Sequence, residues 1–178
     1  MGWWLTLHVL QLPLFGLMAL AVATLLSQAQ ARGVAAGVSR IALGCFVVFY
    51  IAFDSLAGIA AGLVAAYASA LPVDQQDALL PLIIDLNFAP LAISITVLGT
   101  LGWVTAVVAA AIALRQRGVA RNPAILLGLS AIFALHTPPT GPLGLLFFAL
   151  ATASFEFAPQ LRARSQSVAL INFDDQVR

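Results

Sequence analysis

The 178-residue chain is 62% hydrophobic and 8% charged, with a formal net charge of +1 and a mean hydropathy of +1.02. That is too little polar surface for a globular domain in water, and at about 20 residues per crossing of a bilayer core about 30 Å thick there is room for five or six spans but no separate soluble domain. The positive charge is arginine alone, gathered at Arg32 to Arg40, Arg115 to Arg121 and Arg162 to Arg178 in no basic run or aromatic-interleaved patch, so nucleic acid is excluded as an expected partner.

The first apolar run, Leu5 to Leu26, ends in Ser27-Gln28-Ala29-Gln30-Ala31-Arg32, where two small residues resemble a signal-peptidase site. No Lys or Arg precedes the run, and it is too long for the apolar region of a signal peptide, so it reads as a helix that stays. Met1-Gly2 with Thr6 matches a bare myristoylation pattern, but Trp3 and Trp4 fit an interfacial aromatic anchor better. A second span runs from Arg40 or Ile41 to Ala70 and stops at Leu71-Pro72. Within it, the single cysteine, Cys45, reads as core packing with no disulfide partner. Asp74, Asp77 and Asp85 follow without a cation, around the apolar stretch Leu79 to Ile84, which predicts a short helix over 74–86 lying at the outer surface.

Pro90 opens a third span to Leu114, closed by Arg115, Arg117 and Arg121. Asn122-Pro123 predicts the next helix start, with Asn as N-cap and Pro as first helical residue. That span reaches only Leu135 before the His136 to Pro142 turn, and a last one runs from Leu143 to Phe157, ahead of Pro159. Putting the arginine-bearing segments in the cytoplasm satisfies every arginine at once. The expected fold is therefore all-α: a polytopic transmembrane helical bundle with spans at about 4–27, 41–70, 90–114, 123–136 and 142–157, N-terminus outside and C-terminus cytoplasmic. Residues 159–178 form a cytoplasmic tail without a function of its own, and Glu156 beside Arg162 reads as structural. With no organellar targeting segment, a bacterial plasma membrane is the expected location.

Polar groups in a bilayer cost roughly 2.5–3.5 kcal/mol for a charge at a helix centre, so each needs a reason. Asp54 lies 14 residues after Arg40, on the order of 21 Å above the inner boundary. Tyr50, Asp54, Gly58 and Gly62 recur every four residues on one helical face, and Gly58 with Gly62 forms a GxxxG pair. Gly99 and Gly102 give the third span a matching notch, so the two spans are expected to pack through these glycines. His136, 13 residues after Pro123, falls on the order of 20 Å up, in the layer of Asp54. Gln11 and His8 sit one turn apart on the first helix, with His8 expected somewhat above the rest. The last two spans, about 15 residues or roughly 22 Å each, are shorter than the hydrocarbon is thick. Their Pro138-Pro139 turn is thus expected to be sunken, with Asp54 and His136 near the floor of a small vestibule.

One reading of Asp54, His136, His8, Gln11 and Tyr50 is a hydrogen-bonded knot that fixes helix register. As a functional site they admit three classes. The small size and missing catalytic, nucleotide or metal motif favour an accessory subunit, or a bundle that holds a lipid or small apolar ligand, alone, as a homo-oligomer or with other membrane subunits. The second is a metal- or haem-dependent protein using His8, His136 and Asp54, although a hydrolytic zinc site normally needs three protein ligands. The third, a proton-coupled transporter carrying its proton on Asp54, lacks the internal repeat common in such folds.

Overall fold

The computed structural model describes residues 2–135 and 137–155, apart from the side chain of Asp74. His136, the end of the last apolar run, Glu156 and the 159–178 tail with Arg162 lie outside the described residues. Those described are helical, with no strand among them. Helix α1 spans Gly2–Gln28 and α2 spans Val34–Phe53, followed without a break by a π-helical segment, Asp54–Ala60, and by α3, Ala61–Ala68. Helix α4 occupies Val73–Phe88 and α5 Pro90–Gln116; α6, Arg121–Leu129, passes into a 3₁₀ segment, Ser130–Ala134. The last described helix, α7, is Thr140–Phe155. Three stretches, Gly2–Gln28, Val34–Ala68 and Gln75–Gln116, are long and apolar enough to cross a membrane, while Arg121–Ala134 and Thr140–Phe155 are shorter apolar helices.

The connections follow from local chemistry. Helix α1 ends with Gln30 at φ 48°, Ala31 N–H bonding Leu26 O (2.8 Å) and Gln30 N–H bonding Ser27 O (2.9 Å). Helix α5 closes the same way around Gly118 at φ 78°, with Val119 N–H on Leu114 O (3.1 Å) and Gly118 N–H on Arg115 O (3.0 Å). Both are Schellman caps, whose left-handed residue costs glycine least. Helices α4 and α5 are separated by Ala89 alone, whose ψ of 150° breaks the helix, because a residue before proline is driven out of the α region. Helix α6 begins at Arg121 rather than Pro123, with Ala120 as N-cap and no side-chain cap from Asn122. Pro123 is accommodated because the first turn of a helix has no use for its missing N–H.

The core is assembled where α1, α2 and α5 meet, α5 running antiparallel to α2. Gly102 receives the backbone of Phe46, and a Cβ there would lie 2.7 Å from Phe46 N; at Gly99 it would lie 2.7 Å from the Tyr50 ring. Such close approach favours interhelical bonds: Ser39 Oγ donates to Ala106 O (2.8 Å), Trp103 Nε1 to Ser130 O (2.9 Å) and Tyr50 OH to Ala134 O (2.9 Å). Phe15, Phe46, Tyr50, Trp103 and Phe133 form one aromatic cluster, with Phe46 and Trp103 centroids 4.7 Å apart. Helix α7 closes this side through Gly144, where a Cβ would stand 2.4 Å from Phe133 N, and through Phe148 on Trp103. The outside is apolar as well, with Leu10, Val48, Leu101 and Ile112 exposed, as in helices that are hydrophobic all round.

Cys45 is exposed, contrary to its reading as core packing. The buried face of α2 runs through Ala42, Leu43, Phe46 and Tyr50, and position 45 falls outside that stripe.

Candidate functional site

Asp54 opens the π-helical segment, and the residues around it account for the irregularity. The Asp54 N–H is shared between Ile51 O and Tyr50 O, and Ile51 O also accepts the Ser55 hydroxyl at 2.7 Å. A Ser side chain bonding back to the i−4 carbonyl competes with the regular helical ladder and bends it. Farther along, Ala61 N–H reaches Leu56 O, the i→i+5 bond that defines a π turn, a form that recurs at functional sites. This turn resets the register between Tyr50 and Gly62, so residues expected on one face divide between two neighbours. Tyr50 faces the aromatic cluster and the Ala134 carbonyl. Gly58 and Gly62 instead receive α1.

The two glycine pairs therefore do not face each other. A Cβ at Gly58 would lie 2.1 Å from Cδ2 and 2.5 Å from Cγ of His8, and one at Gly62 would lie 2.9 Å from Leu5 Cδ2 and from Trp4 Cδ1. Trp4 Nε1 donates to Gly58 O at 2.9 Å and locks this crossing. The first helix runs antiparallel to the second, and that pairing, invisible to a count of residues from the inner boundary, brings His8 level with Asp54 rather than above it.

His8 and Asp54 are buried, at 7% and 2% exposure. His8 Nδ1 donates to Trp4 O at 2.8 Å, and the ring packs on Trp4 with centroids 4.2 Å apart. This assigns the Nδ1 proton and turns Nε2 toward Asp54 Oδ1, 3.8 Å away, beyond direct hydrogen-bond range. Asp54 Oδ2 is buried without a hydrogen-bond partner, and so is Oε1 of Gln11, one turn along α1 from His8. Neutral imidazole Nε2, a carboxylate and an amide oxygen are all acceptors. A buried acceptor left unpaired costs about 1–3 kcal/mol, so this set calls for something that donates: a proton held by the pair, water, or a ligand hydroxyl or ammonium.

Of the five residues expected to converge, the structure brings His8 and Asp54 together, with Gln11 one turn from His8; Tyr50, one turn before Asp54, donates its hydroxyl to Ala134 O, and His136 lies outside the described residues. Among the described residues no group of three or more His, Cys, Asp or Glu side chains is placed to hold a metal ion. An apolar cleft of about 290 Å³ shares Trp4 with the site; Ala57, Ala61, Gly62, Ile83 and Asn87 among others line it, but His8, Gln11 and Asp54 do not. Trp4 and Asn87 were not foreseen as part of this region. The spacing of Trp4, four residues before His8 and hence on the same helix face, is the signal that would have found it. Comparison with protein-family models, curated proteins and solved structures returned no match to this chain.

Proposed function

We propose that the chain is a multi-pass protein of a bacterial plasma membrane, a five-span bundle that acts as an accessory subunit or holds a lipid or small apolar ligand by a donor-bearing head group. The observation that carries this reading is the pair of buried, unpartnered oxygens on Asp54 and Gln11 around His8, with an apolar cleft on the Trp4 side. A ligand with a hydroxyl or ammonium head would satisfy the acceptors, and its apolar body would lie along Ala57, Ala61 and Ile83.

The five-span topology, N-terminus outside and C-terminus cytoplasmic, is supported by the charge distribution along the antiparallel helices. Arg32, Arg40, Arg115, Arg117 and Arg121 fall where α1 meets α2 and α5 meets α6, at one end of the fold, whereas Asp54, Asp77 and Asp85 belong toward the other. Arg40 Nη2 donates to Ala31 O at 3.1 Å, which turns the guanidinium back toward the α1–α2 connection.

Native mass spectrometry of protein extracted gently from its own membrane tests the function. A bound lipid or small molecule lost in Asp54→Asn and His8→Ala, with the fold intact, is the expected result. Partner chains retained equally by both variants would make the buried pair structural. A haem or metal adduct would replace this reading with a cofactor-dependent one.

A further inference from the structure

At the arginine end of the bundle, α5 and α6 leave a groove of about 550 Å³ between them. Arg115 and Gln116 close α5 and Arg121 opens α6, so the polar lining belongs to the loop end of the groove; one turn deeper the walls are Ile112, Ile125 and Ala124. Arg115 is held toward the loop by donating from Nη1 to Val119 O at 2.5 Å, which engages one of the five N–H donors of a guanidinium. Among the described residues no carboxylate forms an ion pair with Arg115 or Arg121. Two arginines over an apolar wall match an anion that carries a hydrocarbon chain: the guanidinium fork fits phosphate oxygens, and Ile112 and Ile125 present exposed apolar surface to the chain.

We infer that this groove binds one anionic phospholipid, its phosphate between Arg115 and Arg121 and an acyl chain along Ile112 and Ile125. The site is separate from the His8–Asp54 pair and stands or falls independently of it. Its position at the arginine-rich end would place it in the anionic cytoplasmic leaflet, where basic side chains gain most from surface charge.

The test is a titration of the delipidated, detergent-solubilised full chain with phosphatidylglycerol and with phosphatidylcholine, read by native mass spectrometry. Preferential phosphatidylglycerol adducts are expected, weakened about fivefold by Arg115→Gln or Arg121→Gln and about 30-fold by both, since each basic residue near anionic lipid contributes on that order. Arg117→Gln should behave as the parent, because that side chain does not line the groove, and the charge-preserving pair R115K/R121K should keep the preference. Equal retention of the two lipids by the parent chain would overturn the assignment, as would a Gln pair that folds and still prefers phosphatidylglycerol. Glycerol phosphate binding as tightly as the lipid would remove the role of the apolar wall and sink it too. So would a second copy of the chain occupying the groove, seen as a dimer that the Gln pair dissociates. If the Gln pair does not fold, the R115K/R121K pair and the single variants decide.

Discussion

Substituting Ala for Gly58 probes the packing that builds the site. The new methyl would stand 2.1 Å from His8 Cδ2, 2.5 Å from Cγ and 3.0 Å from Cβ, where ordinary contact begins near 3.4 Å. The ring must retreat by more than about an ångström, and two bonds resist: His8 Nδ1 to Trp4 O and Trp4 Nε1 to Gly58 O. Overpacking a filled site costs about 1–3 kcal/mol, while replacing a helical glycine recovers up to about 1 kcal/mol of backbone entropy, so a net loss of about 1–2 kcal/mol is expected. Thermal unfolding in detergent measures it, with Gly44→Ala as control, because no atom lies within 4 Å of a Cβ there. The decisive measurement is the double variant. His8→Ala removes Cδ2 and Cγ, the two atoms that clash hardest, and leaves only Cβ at 3.0 Å, so Gly58→Ala should cost less in its presence, a coupling of about 1 kcal/mol or more. Additive losses would refute the argument that Gly58 exists to seat the His8 ring.

Four further outcomes are expected. Gly102→Ala should destabilise more than Gly58→Ala, by roughly 2–3 kcal/mol in the same melt, because the obstruction at 2.7 Å is the Phe46 backbone, which has no rotamer to move; a smaller loss than at Gly58 would contradict this. Ser39→Ala should cost about 0.6 kcal/mol and at most about 1.7, the measured span for interhelical bonds in membranes, through loss of the bond to Ala106 O. Asp54→Asn should keep the fold, since an amide nearly matches the carboxyl in shape and still offers an acceptor oxygen, yet lose the bound species, as Asp54→Leu should; failure of the Asn variant to fold would make Asp54 purely structural. In a Cys45→Ala background, cysteines at positions 77 and 116 should be labelled by membrane-impermeant maleimide from opposite sides of intact cells and inverted vesicles; labelling of both from one side would rule out the proposed topology.

The character of the chain was legible in its sequence because it depends on sums. Apolar runs of 20 or more residues, broken by arginines, by Leu71-Pro72 and by the Ala89-Pro90 step, predict long helices regardless of what they touch, and three such helices are present. Asp54 was also legible, since a lone carboxylate in an apolar run is conspicuous whatever surrounds it. Its partner was harder to read. Counting residues up from the inner boundary set His8 too high, because a count cannot see how the first helix pairs with the second; the four-residue period set Gly58 and Gly62 toward Gly99 and Gly102, because it assumes a regular helix, whereas Ser55 and the π turn rotate the face beyond Asp54. The close approach of Gly144 to Phe133 and the aromatic cluster of Phe15, Phe46, Trp103 and Phe133 unite residues of different helices, which no local period encodes. What the sequence determined by itself was helix content, helix length and the segregation of charge, all properties of single segments. Only the tertiary structure decided which faces meet, and thus that His8 and Asp54 form the pair, because a helix apolar on every side carries no mark of its inward face until its neighbours pack against it.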